Sequence, residues 1–418
     1  MCGINGIISK DKNKDKLIKS MNEKILHRGP DAEGIFVEGD VALGQRRLSI
    51  IDLAGGNQPI YNEDKSILIM YNGEVYNYKE LKEELTEYKF ETESDTEVVL
   101  HGYEKWGHDL PKKLRGMFAY AIYDKNKGEI FISRDQFGIK PLYYYHDGDT
   151  ILFGSEIKSF LAYPKFKKVL NKELLGAYLT FSFTPTDETF FKGVYRLPQG
   201  HSMTIDVKKR KIKIDRYFKV EFGNTDKSFD EVVKDISTAM KDSTEHHLIS
   251  DVEVGSFLSS GVDSSYLVSL AKPDKTYTIG FDLAKYSEID YAKDLTDKLN
   301  IKNISEKISK EEYMNAHITS IHQFSGINNK KVDLIVTENS GISFLSTFDF
   351  EICKVYANLR NVKTKEQLLN KIVPLGSMLR DIEDKTFSFN GIKFPQNNLE
   401  YFFNKHLLKL KEKYPDYS

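Results

Sequence analysis

MCGINGI at residues 1–7 places a cysteine directly behind the initiator methionine and ahead of a short apolar run. Removal of Met1 leaves Cys2 with a thiol and a free α-amine in one residue. An α-amine has a pKa of about 7.7 to 8, so part of it is neutral near pH 7 and able to take the thiol proton; no separate histidine is needed. Acyl transfer also requires oxyanion donors. YNGE at 71–74 offers the Asn72 side chain and the backbone N–H of Gly73, where a missing Cβ permits close approach. Taken singly, each signal has a bland counterpart. A cysteine at position 2 usually carries no chemistry, and Asn-Gly between alternating apolar residues is a hairpin turn signal. HRGPD at 27–31 reads equally as a turn, and Arg47 and Asp95 as solvated charges.

The chain as a whole sets bounds. Its 418 residues exceed the size at which single cores stop growing, which predicts at least two domains. A hydrophobic fraction of 40%, a charged fraction of 29% and a net charge of −2 give no electrostatic argument for nucleic acid. Two cysteines, Cys2 and Cys353, make no disulfide framework, and the ten histidines show no zinc-ligand spacing. No apolar run reaches the roughly 18 residues that span a bilayer, and residues 1–20 lack a signal-peptide core. A cytoplasmic protein with no membrane partner is expected.

Outward from MCGINGI, VALGQRRLSIIDL, SILIMYNGEVYNY, GMFAYAIYD, EIFISRD and ILFGSE are strand-like runs separated by turn signals. Two helical patterns interrupt them: KLIKSMNEKIL, with Leu17, Ile18, Met21 and Ile25 on one face, and SDTEVVLHGYEKWG, with Ser94 and Glu97 at capping-box spacing. An antiparallel, sheet-rich α+β domain follows. Near residue 205 the texture changes. FDEVVKDISTAMKDSTEHHL has Val232, Val233, Ile236 and Met240 at helical intervals. EVGSFLSSGVDSSYLVSLA, KTYTIGFD and SEIDYAKDLTDKL, the last with Ser287 and Asp290 at cap spacing, then alternate strand and helix as in a parallel sheet.

The series MCGI, HRGPD, RLSIIDL, QPIYN, NGEVYN, SDTEV, GMFAYAIYD, RDQFGIKPLYY and GSEIKS resembles, in this order, the glutaminase domain of class II glutamine amidotransferases, specifically glutamine-hydrolysing asparagine synthetases. The resemblance implies an N-terminal-nucleophile αββα sandwich over residues 1–210. It further implies Cys2 as nucleophile, Asn72 and Gly73 as oxyanion hole, Arg47 on the glutamine α-carboxylate, and Asp95 with Glu74 around the substrate ammonium. A guanidinium and a carboxylate are what a zwitterion-selective pocket needs.

LSSGVDSS at 258–265 follows a strand-like run and precedes a helical one, so its backbone N–H groups and hydroxyls can surround a phosphate; alone, it reads as well as a capped strand-to-helix turn. In this place it resembles the pyrophosphate loop of N-type ATP pyrophosphatases. That likeness assigns Leu258, Ser259, Gly261, Asp263, Ser264 and Ser265 to ATP, Asp263 also to magnesium, and Ile279 and Gly280 of TIGFD to the strand beside the adenosine. Ser260 replaces a glycine, which costs on the order of 1 kcal/mol only if φ must be positive. A partial α/β parallel-sheet ATP-pyrophosphatase domain is expected over 211–314.

The likeness to asparagine synthetases is traced through ISKEEY at 308–313 and leaves 315–418 as an unmatched tail, in which VDLIVTENS and ISFLSTFDF are candidate strands. The second, acidic ATP and aspartate loop of the family is missing from it; Ser325-Gly326 and Ser340-Gly341 lack the acidic residues that should follow. The resemblance implies glutamine, aspartate and ATP with magnesium as substrates, no prosthetic group, and a homodimer. The incomplete second half-site keeps open a glutaminase-only enzyme or a non-catalytic sensor of glutamine or nucleotide.

Overall fold

The computed structural model describes residues 2–181, 183–281, 287–309, 320–325, 331–336, 387–389 and 392–394. Chain contacts define one compact unit of Met1–Lys172 with Thr186–Glu312, and a second of Glu173–Pro185 with Tyr313–Ser418.

The first unit begins with β1 (Gly3–Ile8), α1 (Lys14–Lys24), β2 (Ala32–Glu38) and β3 (Val41–Arg47). Next come β4 (Ile60–Tyr61), β5 (Ile67–Val75), α2 (Tyr78–Glu84), α3 (Asp95–Trp106), β6 (Gly116–Asp124) and β7 (Glu129–Arg134). After β8 (Tyr143–His146) and β9 (Ile151–Gly154), α4 (Leu174–Phe181) belongs to the second unit. The chain returns through β10 (Val194–Arg196), β11 (His201–Asp206) and β12 (Lys211–Arg216).

Two six-stranded antiparallel sheets result, ordered β10-β8-β9-β1-β3-β2 and β12-β11-β7-β6-β5-β4. Strand alternation sorts the apolar residues into three layers. Ile4, Ile8, Leu43 and Phe153 of the first sheet meet Leu68, Met70, Ala121 and Ile132 of the second. The outer face of the first sheet, through Ile7, Ala42 and Leu152, receives Ile18 and Met21 of α1. The outer face of the second, through Ile69, Tyr71 and Tyr120, receives Val98, Val99 and Leu100 of α3. Helix, sheet, sheet, helix is the expected αββα sandwich, and each fully buried aliphatic side chain contributes about 1.5 to 3 kcal/mol to it.

Ser94 does cap α3, accepting from Thr96 N, but the expected capping box is absent. Glu97 instead accepts from the backbone N–H groups of Glu91 and Thr92, because the chain before the helix folds back over it.

Beyond β12 stand α5 (Phe229–His247), β13 (Gly255–Phe257), α6 (Val262–Ala271), β14 (Lys275–Phe281), α7 (Ile289–Leu299) and β15 (Lys302–Ile308). Strands β13, β14 and β15 pair in parallel, as the alternation of elements predicts. One face of β14, bearing Thr276, Thr278 and Gly280, is buried; Tyr277, Ile279 and Phe281 on the other are exposed. Parallel sheets are ordinarily covered on both faces. The apolar stripe of α5 is likewise open, with Val233 and Ile236 exposed. The N-cap of α7 is Glu288, with no side-chain cap, so Ser287 and Asp290 do not form the expected cap.

In the second unit β16 (Ser320–Ser325) pairs antiparallel with β17 (Lys331–Val336), and β18 (Phe387–Phe389) with β19 (Ile392–Phe394). The strand expected in VDLIV is thus present, and ISFLSTFDF lies outside the described residues. Among the described residues no helix is long and apolar enough to cross a membrane.

Candidate active site

Cys2 immediately precedes β1, a strand hydrogen-bonded on both sides. Its Sγ accepts from Leu48 N at 3.3 Å and lies 3.4 Å from Leu48 O, while Arg28 Nε donates to its carbonyl at 2.9 Å. HRGPD therefore acts as a cradle. Arg28 and His27 both reach Glu156, at 3.1 and 2.8 Å, and Asp31 accepts from Ser49 N at 2.8 Å.

One cleft of about 480 Å³ brings together Cys2, Arg47, Asn72, Gly73, Glu74 and Asp95, all six residues that the sequence nominated for glutamine chemistry. Asn72 and Gly73 are not in a turn: they lie inside β5, opposite Ala119 and Phe118 of β6. A Cβ on Gly73 would come within 2.4 Å of Met117 O, so glycine is required there by the neighbouring strand's backbone rather than by the cleft. The Asn72 amide is buried, and neither of its polar atoms has a hydrogen-bond partner among the described residues. Leaving such a group unpaired costs roughly 1 to 3 kcal/mol.

Arg47 is buried at the end of β3. Its Nη1 donates to Leu53 O and Asn57 Oδ1, and its Nη2 to Ile51 O and Asp52 O at 3.1 and 2.6 Å. Those acceptors are neutral, and Arg47 makes no ion pair among the described residues. A buried cation solvated only by neutral oxygens still attracts an anion. Across the cleft, Asp95 Oδ2 accepts from Tyr71 Oη at 2.8 Å and Val75 N at 2.9 Å. Burial pushes its carboxyl up to about 6, against the pull of those two donors. Burial also raises Glu74, which Lys140 pulls back and Asp95 pushes further.

Sequence reasoning missed Lys140. It is buried, lines the same cleft, and is placed by the loop that follows β7. There Asp135 accepts from the backbone N–H groups of Phe118, Phe137, Ile139 and Lys140, while Arg134 donates to the carbonyls of Gly138, Lys140 and Leu197. Gly138 has φ +68°, which turns the loop back onto Arg134. Burial lowers the Lys140 ammonium, and the charges of Glu74 and Cys2 oppose this. For the Cys2 thiol, burial is the main effect and raises it; Leu48 N–H, Arg47 and Lys140 bring it part of the way back.

The second nominated constellation surrounds the turn from β13 into α6. Gly261 caps α6 with an extended backbone, and Ser260 is not among the residues with positive φ, so serine in place of glycine is unstrained. The hydroxyls bond within the loop: Ser259 Oγ to Ser264 Oγ at 2.8 Å, Ser265 Oγ to Gly261 O at 2.8 Å, and Ser260 Oγ to Glu288 at 2.7 Å. Leu258 is core, packed with Val268 and Ala292. Ile279 is exposed, and Gly280 is where Ile289 of α7 packs, since a Cβ would come within 2.5 Å of it. Asp263 is exposed in the first turn of α6. No group of three potential metal ligands occurs among the described residues.

Residues 1–218 match the family model described as glutamine amidotransferase domain. The chain belongs to the glutamine amidotransferase family. Residues 235–329 match the model described as asparagine synthase, so that likeness extends past the point at 313 where the motif series ends. Among curated relatives of this amidotransferase, asparagine synthetase [glutamine-hydrolyzing] 1 of Bacillus subtilis is 44% identical over 75% of this chain and 51% of its own length. Putative asparagine synthetase [glutamine-hydrolyzing] 2 of Methanocaldococcus jannaschii is 39% identical over 71% of this chain and 63% of its own. The chain thus spans about half to two thirds of the length of these relatives. A solved glutamine phosphoribosylpyrophosphate amidotransferase of B. subtilis superposes with a TM-score of 0.40 at 18% identity, over 73% of this chain and 65% of that one. That superposition is too loose to carry an argument.

Proposed function

We propose that the chain is a glutamine amidotransferase of the asparagine synthetase type, which hydrolyses glutamine at Cys2 and supplies the ammonia for ATP-dependent amidation of aspartate. The observation that carries the reading is the buried, unpartnered Asn72 amide in one cleft with the Cys2 thiol, the unpaired Arg47 cation and Asp95.

Once Met1 is removed, the freed amine takes the thiol proton and the thiolate attacks the glutamine side-chain amide carbon. Asn72 Nδ2 and the Gly73 N–H stabilise the oxyanion. The C–N bond breaks, ammonia departs with the proton returned by the amine, and water hydrolyses the thioester to glutamate. Arg47 holds the α-carboxylate while Asp95, with Glu74 beside it, holds the ammonium. Lys140 adds positive charge beside the sulfur.

In the second half, Ser259, Gly261, Ser264 and Ser265 receive the ATP phosphates at the N-terminus of the ten-residue α6. One carboxylate at Asp263 fits magnesium, which usually takes one or two protein carboxylates and completes its shell with phosphate and water. Leu258, Ile279 and Gly280 shape the adenosine side through the backbone. The reading keeps the divisions 1–210, 211–314 and 315–418 with the first boundary moved past β12, which pairs with β11 in the sandwich, and includes a homodimer in the cytoplasm.

Two assays test it. Glutamate release from glutamine by wild type, lost in Cys2→Ala, supports the first half; equal rates sink it. Pyrophosphate and asparagine formed from ATP, magnesium, aspartate and free ammonia support the second, and no release from a chain that still hydrolyses glutamine reduces the protein to a glutaminase.

A further inference from the structure

The loop that carries the acceptors of Arg47 is clipped from outside the sandwich. Asp251, in the segment between α5 and β13, donates through its backbone N–H to Ile50 O at 3.1 Å, and its Oδ2 accepts from Asp52 N at 2.8 Å. Both bonds join residues about two hundred positions apart. Asp52 sits at φ +49°, a region that L side chains avoid, so it needs holding.

What Asp52 holds in turn is the glutamine cleft. Its carbonyl takes Arg47 Nη2, its Oδ1 accepts from Gly55 N at 2.7 Å, and its Oδ2 accepts from Glu93 N at 3.0 Å, two residues ahead of Asp95. The arginine side and the aspartate side of the cleft are tied through this one residue. On its other side, Asp251 leads through Val254, whose N–H donates to Asp274 Oδ2 at 3.0 Å and whose carbonyl accepts from Asp274 N at 3.2 Å, directly into β13 and LSSGVDSS. Helix α5, which leads into this segment, is moored by the Arg115–Asp242 ion pair and by the Tyr76 and His247 rings, 4.3 Å apart.

We propose that Asp251 is a positioning residue for glutamine: it fixes Asp52, and through it the Arg47 guanidinium, so that the pocket is set by a residue on the nucleotide-loop side of the chain. The inference rests on the glutaminase reading and adds to it a residue that never touches substrate. Asp251 lies outside the motifs that resemble the glutaminase domain, whereas Asp52 lies within RLSIIDL, the motif that carries Arg47.

The experiment compares wild type, Asp251→Ala and Asp251→Asn in steady-state glutamine hydrolysis, with amide hydrogen exchange followed over residues 48–57. Losing a charge-assisted, exposed bond predicts a KM for glutamine raised roughly three- to ten-fold in Asp251→Ala with kcat within about two-fold, and partial rescue in Asp251→Asn, whose amide oxygen still accepts from Asp52 N. Exchange over 48–57 should rise in Asp251→Ala at an unchanged melting temperature. An unchanged KM, or kcat and melting temperature falling together, overturns the proposal. If wild type shows no Cys2-dependent hydrolysis, the glutaminase reading fails instead, and the exchange comparison still decides the clip: no change over 48–57 refutes it.

Discussion

Arg28 donates to the carbonyl of Cys2 at 2.9 Å while its Nη1 engages Glu156 at 3.1 Å, so the residue that carries the thiol is gripped from behind by an anchored cation. On the proposed reading, Arg28 positions the thiol for attack. Arg28→Gln should lower kcat for glutamine by roughly ten- to a hundred-fold, with KM nearly unchanged, since small misplacements of a reacting group cost that much. Equal losses in kcat and in glutamine affinity would assign Arg28 to the fold of the cleft instead.

The Asp95 carboxyl, raised to about 6 by burial, gives the pocket an acid limb. A substrate ammonium needs the charged form, which disappears as pH falls through that value. The KM for glutamine should rise below about pH 6 while kcat holds, and Asp95→Asn should raise KM at all pH values and abolish the limb. Initial-rate measurements from pH 5 to 8 check this.

Lys140 lowers the thiol's proton affinity from within the cleft. Its removal in Lys140→Met should move the ionisation of Cys2 upward. The pH profile of kcat/KM for glutamine, or of alkylation by iodoacetamide, should shift to higher pH by a fraction of a unit up to about one unit. An unmoved profile would make Lys140 a structural lysine.

Gly73 is held by backbone on the neighbouring strand, so Gly73→Ala should act on stability before chemistry. The added Cβ meets Met117 O at 2.4 Å and Phe118 Cα at 2.8 Å, an overpacking between paired strands that costs on the order of 1 to 3 kcal/mol. Thermal unfolding should show a fall of several degrees.

An antiparallel α+β domain was legible from local signals, the alternation in the strands and the helical spacing of Ile18 and Met21, while the αββα sandwich and the six pocket residues were legible only through the family resemblance that short motifs in a fixed order carry. What local pattern could not supply is pairing across the chain. Asn72-Gly73 reads as a turn until β6 is seen to run past it, and the hydrogen bonds of Glu97 go to a chain segment doubling back rather than to a cap. Lys140 lies in a quoted motif, yet its place beside Cys2 depends on Asp135 gathering four backbone N–H groups, one of them from β6. Periodicity in α5 correctly marks a helix, but Val233 and Ile236 remain exposed, because an amphipathic stripe names a face without naming what covers it.

The thiol and the arginine have different lifetimes in place. Cys2 heads a strand bonded to β9 on one side and β3 on the other, with every residue of β1 buried, so its backbone is released only when the sandwich opens. Arg47 takes its partners from a surface loop in which Leu53, Gly55 and Asn57 are exposed. On gentle heating the enzyme should therefore lose its grip on glutamine first and its nucleophile last, a sequence in which saturation suffers well before turnover.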